Sequence, residues 1–385
     1  MNHWRSQHFL QEGEKKCISE EVLTNACMTA SALHSISPNS PPLFTLNHLA
    51  HEADVPYSFL RSVVSQSAEV EPYRVFKLKK SSSGHSNGRM RYICAPHPVL
   101  LRTQRWIHNN ILRETHVHEA SYAYNKGSKI VELAQVHCRC RWMVKLDVTN
   151  FFESILEPDV YKVFRRIGYQ PLMAFELARI CTRLRNEGNP VKLHRSPYKI
   201  STYSQTCVGH LPQGAPTSPI LANLAMLKLD EDLTQLSKSL DVKYTRYADD
   251  LAFSTRSKTF TREDAHSLIH GVYEIMRKHS LWPNRTKTRI LTPRARKVVL
   301  GLLVDQKRPH LTREFKDRVR MHIYYLKHSK VGPVEHSINR GFDTVLGLQN
   351  HVFGLVAFAK GIDSAWGKRQ YQELLDVKWP TAPDY

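Results

Sequence analysis

The amino-acid sequence predicts an α+β fold, in which short antiparallel strands alternate with longer helices. Two stretches, 73–78 and 90–94, alternate apolar and polar residues as strands do, and a loop rich in Ser, Gly and Asn joins them into a predicted hairpin. A second predicted hairpin pairs 242–247 with 251–254, and a further strand covers 142–147. Apolar residues at helical spacing separate these strands. Since hairpins and helices are interspersed, the α+β class follows.

The remaining elements each have a local signal. A helix is predicted after Pro98, with an apolar face made by Leu101, Trp106, Ile107, Ile111 and Leu112. Thr217-Ser218-Pro219 is typical of a helix start, with a hydroxyl cap and a proline in the first turn. A strand-like run covers 298–304.

Three parts are expected along the chain. Residues 1–44 form a helical extension that ends in a turn-rich linker. Residues 45–305 contain the hairpins and most strands. Residues 306–385 form a basic helical lobe, because 313–327 combines five Lys and Arg residues with apolar residues at helical spacing.

The charge of the chain points to an anionic partner. Its 385 residues include 55 Lys and Arg against 35 Asp and Glu, which leaves a formal net charge of +20. Such a surplus repels itself unless an anion shares the surface, and nucleic acid is the commonest such anion. A basic protein with no nucleic-acid partner is the alternative.

The cysteines and the N-terminus indicate a cytoplasmic protein. The seven cysteines are scattered and include no C-x-x-C pair, so we expect reduced thiols and no disulfide framework. The first residues lack the layout of a signal peptide. No uninterrupted apolar run approaches the ~20 residues that cross a bilayer, so we expect no membrane association.

Three aspartates are the candidate catalytic residues. Asp249 and Asp250 lie at the turn of a predicted hairpin, and Asp147 ends another predicted strand. A solvated turn is the alternative for the adjacent pair, since Asp favours turns. Two strands that deliver carboxylates to one edge would instead form an oxygen-rich site suited to Mg²⁺. Two such ions about 3.5–4 Å apart can hold both the attacking and the leaving oxygen of a phosphoryl displacement.

Four ordered motifs make the chain resemble the reverse transcriptases. In order these are Leu146-Asp147 with Phe151-Phe152, then 211–219 with the sequence LPQGAPTSP, then Tyr247-Ala248-Asp249-Asp250, then 284–288 with the sequence NRTKT. The resemblance implies a right-hand polymerase, with α+β fingers, a palm built on a small antiparallel sheet and a mostly helical thumb. It also implies that Asp147 and Asp249 are the principal metal ligands and Asp250 the third carboxylate.

Within that superfamily the chain is most similar to the bacterial retron reverse transcriptases. It departs from two retron elements associated with recognition of the cognate RNA. The Asn-Ala-x-x-His element has Leu133 in place of its Asn, and the Val-Thr-Gly triplet has Leu300 in place of its Thr. A phage-defence reverse transcriptase outside the retrons is therefore the alternative.

The resemblance implies roles for five further residues at the nucleotide. Phe152 would be the aromatic gate that excludes a 2′-hydroxyl, although a core aromatic is the alternative. Gln213 would contact the incoming nucleotide or the template base, unless its loop is a structural turn. Lys79 and Arg91 would bind the triphosphate, with Lys80 as a competitor for the first role. Lys287 would assist the leaving group as an acid or a charge.

Three residues are expected to contact RNA. His137 belongs to the first retron element, and a satisfied structural histidine is the alternative. Val299 and Gly301 belong to the second, where Gly would permit close approach of a nucleic-acid backbone and a core strand is the alternative. The basic helix at 313–327 would lie along a duplex backbone.

The predicted reaction is the template-directed addition of deoxynucleotides to a primer on an RNA template. If the retron resemblance holds, the template and primer is a structured non-coding RNA. The product is then multicopy single-stranded DNA (msDNA) linked to that RNA. Retrons resemble antiviral modules with an effector (toxin) protein, which is an expected partner. The alternatives are a polymerase that makes untemplated or repetitive DNA and a non-catalytic RNA-binding scaffold.

Overall fold

The computed structural model describes residues 4–67, 70–79, 90–184 and 208–380. The side chains of Lys79, Met90 and Arg91 lie outside the described part, as do Lys80, Cys207 and the loop predicted at 81–88. The six described cysteines are free thiols, and four of them are buried.

The first part of the chain is helical and packs onto the rest. Its helices are α1 (Ser6–Lys15), α2 (Glu20–Ile36), α3 (Leu46–Glu52) and α4 (Tyr57–Ser65). Leu33 and Leu43 are 2% exposed and belong to the main hydrophobic core. The Tyr169 hydroxyl donates to the Pro41 carbonyl at 2.8 Å. The segment predicted as an extension therefore shares its core with the later parts.

The predicted first hairpin is confirmed. Strands β1 (Tyr73–Lys79) and β2 (Met90–Pro96) pair antiparallel, with Val75 opposite Cys94. Helix α5 (Pro98–Ile107) follows and continues into a π-helical segment, His108–Leu112. Pro98 lies in its first turn, where the missing N–H costs nothing. Helix α6 (Ile130–Val136) then leads into the central sheet.

A four-stranded antiparallel sheet forms the centre of the molecule. Its strands are β3 (Trp142–Asp147), β4 (Lys243–Tyr247), β5 (Asp250–Thr255) and β6 (Arg289–Leu291), in the order β4-β5-β3-β6. The accompanying helices are α7 (Phe151–Ser154), α8 (Glu157–Ile167), α9 (Pro171–Cys181), α10 (Ser218–Ala225), α11 (Leu227–Ser239) and α12 (Arg262–Lys278). A 3₁₀ turn, Arg285–Lys287, precedes β6.

The C-terminal part combines a small sheet with four helices. Strands β7 (Val298–Val299), β8 (Leu302–Leu303) and β9 (His310–Leu311) are antiparallel neighbours, and this sheet spans the predicted boundary at 305. The helices are α13 (Arg313–Lys327), α14 (Gly332–Asn339), α15 (Val345–Ile362) and α16 (Ser364–Leu375). The boundaries of the three parts remain predictions.

Two hydrophobic clusters hold these elements together. The first contains Val144 and Leu146 of β3 and most of the helices around the central sheet. The second contains Met143 of the same strand and the buried faces of α13, α15 and α16. Because successive side chains of a strand point to opposite faces, β3 contributes to both clusters.

Two local predictions need correction. Helix α10 begins where predicted, but its N-cap residue Thr217 makes no side-chain cap hydrogen bond. Its backbone is helical there (φ −83°, ψ −26°), whereas a capping residue is usually extended. The run 298–304 is a hairpin and not one strand, because Leu300 (φ +47°) and Gly301 (φ +80°) form a two-residue turn.

Helix α15 is apolar for most of its length. By length and composition alone, its 18 residues could cross a membrane, a test that core helices of soluble proteins also pass. Four side chains on one face are buried in the second cluster, namely Leu348, Val352, Val356 and Ala359. One face of the helix thus packs within the C-terminal part.

Candidate active site

The three candidate aspartates converge at one edge of the central sheet. Strands β3 and β5 pair in a register that puts Asp147 directly opposite Asp250. Strand β4 closes against β5 at the pair Tyr247 and Asp250, so Ala248 and Asp249 form the connecting turn. The Val148 N–H donates to the Asp249 carbonyl at 3.0 Å, which ties the turn to the end of β3. The predicted adjacency of these strands is confirmed.

The carboxylates repel one another at this edge. Asp147 is 5% exposed, whereas Asp250 remains exposed as a whole. The pKa of the Asp250 carboxyl is nevertheless raised from its usual value, first by desolvation and next by the like charge of Asp249. Asp147 raises that pKa further, while Lys145 and Lys287 lower it. A cation at this edge would relieve the repulsion.

The turn that carries Asp249 is conformationally strained. Ala248 has φ +54°, a left-handed conformation that costs an L-residue about 1–2 kcal/mol. Its side chain is 5% exposed, and its carbonyl accepts a hydrogen bond from Arg246 Nη1 at 3.3 Å. The surrounding packing and this contact hold the turn in place.

Arg246 anchors the turn through a buried ion pair. Its guanidinium donates to both carboxylate oxygens of Asp230, through Nε at 2.8 Å and Nη2 at 2.6 Å, and both residues are 0% exposed. The Tyr244 hydroxyl also donates to Asp230 at 2.7 Å, and Arg246 Nη1 donates to Asn223 at 3.0 Å. Sequence reasoning missed this network, although Arg246 lies two residues after Tyr244 and therefore on the same face of β4.

Asp147 is held by two donors from the segment before β6. Asn284 Nδ2 donates to Asp147 Oδ1 at 3.0 Å, and Lys287 Nζ donates to Asp147 Oδ2 at 2.6 Å. Among the described side chains, no group of three or more His, Cys, Asp or Glu is arranged ready to hold a metal ion. The role of Lys287 at the leaving group stays a prediction, and Asn284 was not singled out from the sequence.

Phe152 lies beside other aromatic side chains. It is half-buried on α7, and its ring is 5.5 Å from the ring of the buried Phe151. The ring of Tyr124 is 6.4 Å from both Phe152 and Tyr247. Tyr124 is 46% exposed and carried no signal in the sequence, because it lies in an irregular segment. Phe152 as a sugar gate stays a prediction.

The loop that carries Gln213 is docked on the first hairpin. The Cys94 N–H of β2 donates to the Gln213 carbonyl at 2.7 Å. Gly214 has φ +119°, and a Cβ there would lie 2.8 Å from the Cys94 carbonyl oxygen. Glycine is therefore required both by the backbone angle and by the close approach. The backbone of Gln213 is thus fixed against β2, shortly before α10, and its side chain is half-buried.

The strand register fixes only the backbones of Lys79 and Arg91. Leu78 pairs with Arg91, and Lys79 pairs with Met90, at the end of the hairpin next to the connecting residues 80–89. Their side chains lie outside the described residues. Triphosphate binding by these two cations stays a prediction.

Two of the three residues predicted to contact RNA are buried within the protein, and the third lies at an open turn. His137 is 0% exposed, and its ring nitrogens lie 2.7 Å from the hydroxyls of Ser254 and Thr245. Val299 is 2% exposed in the second cluster. Gly301 occupies a left-handed turn position with nothing within 4 Å of an added Cβ. The geometry matches the structural alternatives for His137 and Val299, and RNA contact stays a prediction for all three.

These features define a template-directed polymerase, with acids at the edge of an antiparallel palm sheet. The family described as reverse transcriptase (RNA-dependent DNA polymerase) matches residues 78–322. The chain belongs to this family, as a reverse transcriptase of the retron type, and is thus an RNA-directed DNA polymerase. Members of the family generally use divalent metal ions.

Curated relatives support the narrower assignment. The Retron Ec86 reverse transcriptase of Escherichia coli is 30% identical over 81% of this chain and 83% of its own length. The Retron Mx162 reverse transcriptase of Myxococcus xanthus is 29% identical over 76% of this chain and 59% of its own length. A solved structure of telomerase from Candida albicans, in complex with a TWJ fragment of telomeric RNA, aligns with a TM-score of 0.40 and 11% identity. The alignment covers 82% of this chain and 67% of the telomerase chain.

Proposed function

We propose that the chain synthesises msDNA from a structured non-coding RNA of its own retron. The observation that carries the proposal is the register that puts Asp147 opposite Asp250, next to Asp249. The similarity to curated retron reverse transcriptases supports the RNA template. Deoxynucleoside triphosphates are the second substrate.

We propose that two Mg²⁺ ions bind at the edge of the sheet where the three acids converge. Asp147, Asp249 and Asp250 would hold them, because carboxylate oxygens are the hard ligands that Mg²⁺ prefers. When bound, such ions activate the primer 3′-hydroxyl and neutralise charge on the departing pyrophosphate. The pKa of the Asp250 carboxyl is raised by desolvation first and then by the like charge of Asp249, and that second cause supports cation binding at this edge.

Other residues of the chain would bind and select the nucleotide. Phe152 would lie under the sugar and exclude a 2′-hydroxyl. Gln213, fixed against β2, would contact the incoming nucleotide or the template base. Lys79 and Arg91 would bind the triphosphate, and Lys287 would reach the leaving group from the edge of the site.

The RNA would be bound through charge and shape. The net charge of +20 supports contact with a polyanion, and the exposed cations of α13 would follow the duplex backbone. His137, Val299 and Gly301 are proposed to shape the surface that receives the cognate RNA. We propose that the reaction takes place in the cytoplasm and involves no membrane. We also propose a role in antiviral defence with an effector protein.

A primer-extension assay tests the activity. The full chain is mixed with poly(rA), oligo(dT), labelled dTTP and Mg²⁺. We expect extension that EDTA abolishes and that Asp249→Asn lowers by about a hundredfold to a thousandfold. Asp232→Asn, on the surface of α11, is the matched control and should retain activity. Absence of Mg²⁺-dependent extension by the natural chain would favour a non-catalytic scaffold.

Sequencing the nucleic acid that copurifies with the chain tests the product. A unique DNA joined to a structured RNA is expected. Long homopolymers or simple repeats would contradict msDNA synthesis.

A further inference from the structure

The two donors that hold Asp147 differ in mobility. Asn284 is fixed at three points, because its N–H donates to the Asp147 carbonyl at 2.8 Å, its Nδ2 donates to Asp147 Oδ1, and its Oδ1 accepts from the Thr286 hydroxyl at 2.8 Å. Lys287 reaches Asp147 Oδ2 with the end of a flexible side chain that is 58% exposed. One donor is thus part of the framework, and the other can leave without moving the backbone.

The exposed donor carries charge as well as a hydrogen bond. The Asp147 side chain is 7% exposed, so its carboxylate has little water to replace a lost partner. Asp249 and Asp250 add like charge at the same edge. The Lys287 ammonium is a compact point charge, and its Nζ lies 2.6 Å from Asp147 Oδ2. A divalent cation that binds this oxygen would compete with the Lys287 ammonium for it.

We propose that Asn284 and Lys287 form a clamp on the Asp147 carboxylate. The hydrogen bond from Asn284 is its permanent half, and the hydrogen bond from Lys287 is its exchangeable half. Asn284 is a positioning residue that fixes the orientation of the carboxylate. Lys287 is a resident counter-cation that occupies Oδ2 until a divalent cation arrives, and it then moves to the phosphates of the nucleotide. This inference rests on the proposed function, because it takes Asp147 to be a metal ligand.

The clamp makes opposite predictions for its two members. Mn²⁺ binding to the full chain is measured by calorimetry without nucleotide or nucleic acid. Lys287→Met removes the competitor and should tighten Mn²⁺ binding by roughly three- to tenfold, the range expected for a charge-assisted hydrogen bond that is partly exposed. Asn284→Ala frees the carboxylate to rotate and should weaken Mn²⁺ binding. If both residues only stabilised the fold, both substitutions would weaken Mn²⁺ binding.

Lys278→Met is the matched control. Lys278 on α12 is 69% exposed and pairs with Asp232 of α11 at 2.8 Å. Its substitution therefore removes the same charge as Lys287→Met, but away from Asp147. It should leave Mn²⁺ affinity unchanged. Lys287→Met should also lower the thermal midpoint in EDTA, and added Mn²⁺ should restore it. Lys287→Met binding Mn²⁺ no more tightly than the control overturns the exchangeable half of the clamp.

Asp249→Asn separates failure of the clamp from failure of the proposed function. If Asp249→Asn weakens Mn²⁺ binding but Lys287→Met does not tighten it, the clamp is wrong and the metal assignment stands. If Asp249→Asn leaves Mn²⁺ binding unchanged, the ion lies elsewhere, and both the metal assignment and the clamp fail.

Discussion

At the scale of single residues, the acids were predictable and their supports were not. Asp147, Asp249 and Asp250 stand out because each follows or joins a strand with an apolar pattern. Arg246, Asp230 and Asn284 act through contacts between residues far apart in the chain, and no local spacing encodes such contacts. A single sequence therefore identifies the reacting groups more readily than the residues that orient them.

The buried pair of Arg246 and Asp230 should contribute strongly to stability. Arg246→Met leaves the Asp230 carboxylate buried without its charge partner, and the free energy of unfolding should fall by about 3–5 kcal/mol. Urea denaturation of both proteins measures the loss. Arg320→Met, in the exposed pair with Asp317, is the control and should cost less than about 1 kcal/mol. Equal losses would contradict a structural role for the buried pair.

His137 should make stability depend on pH. Burial lowers its pKa from 6.5 to about 4, so between these values the unfolded chain binds a proton that the folded chain does not. The free energy of unfolding should therefore fall as pH falls from 6.5 to 4, by up to about 1.4 kcal/mol per pH unit. Urea midpoints measured across this range should vary less in His137→Gln than in the natural chain. His266→Gln, at an exposed site, should keep the full dependence.

Phe152 should control the choice of sugar if it is the gate. Phe152→Ala opens space beside the half-buried ring, so incorporation of ribonucleotides relative to deoxynucleotides should rise by about 10- to 200-fold. Single-nucleotide extension with dTTP and UTP measures this ratio. Phe353→Ala, an aromatic change in the second cluster, should leave the ratio as it was. An unchanged ratio in Phe152→Ala would remove the gate.

At the scale of elements, strands and helices with a strong pattern were predicted well. The strand 142–147 and the helix 313–327 have the predicted bounds, since the strand is mostly apolar and the helix has apolar residues at helical spacing. The prediction of a single strand at 298–304 was wrong, because the apolar residues hide a turn at Leu300. Leucine rarely adopts positive φ, so the sequence does not signal this turn. Turns that tertiary packing forces on ordinary residues leave little trace in the sequence.

The loop around Gln213 should tolerate no side chain at Gly214. A Cβ at this position meets the Cys94 backbone, so Gly214→Ala must shift the loop and the Gln213 amide with it. We expect kcat/KM for the nucleotide to fall between about tenfold and a hundredfold. Gly127→Ala is the control, since Gly127 also has positive φ but has nothing within 4 Å of an added Cβ. Equal kcat/KM values for both variants would show that the docking is dispensable.

At the scale of the whole molecule, charge and family were predictable, while the assembly of the parts was not. The C-terminal sheet joins residues on both sides of 305, and the first helices enter the main core. These contacts depend on which apolar faces meet, and periodicity shows only that such faces exist. The three parts predicted along the sequence are therefore not separate units in the folded chain, because they share a sheet and a core.

The net charge of +20 should make RNA binding strongly dependent on salt. A plot of log affinity against log salt should have a slope of about −3 or steeper, which corresponds to about four or more neutralised phosphates. Fluorescence anisotropy with a labelled structured RNA measures the slope. Arg318→Gln on α13 should reduce its magnitude by about one, whereas Arg262→Gln on α12 should not. A slope near zero would contradict binding through the backbone.

Tyr247 packs against both hydrophobic clusters, immediately before the turn that carries Asp249. A single side chain therefore links the two hydrophobic cores beside the candidate acids. Shortening this side chain would leave unfilled volume in both cores.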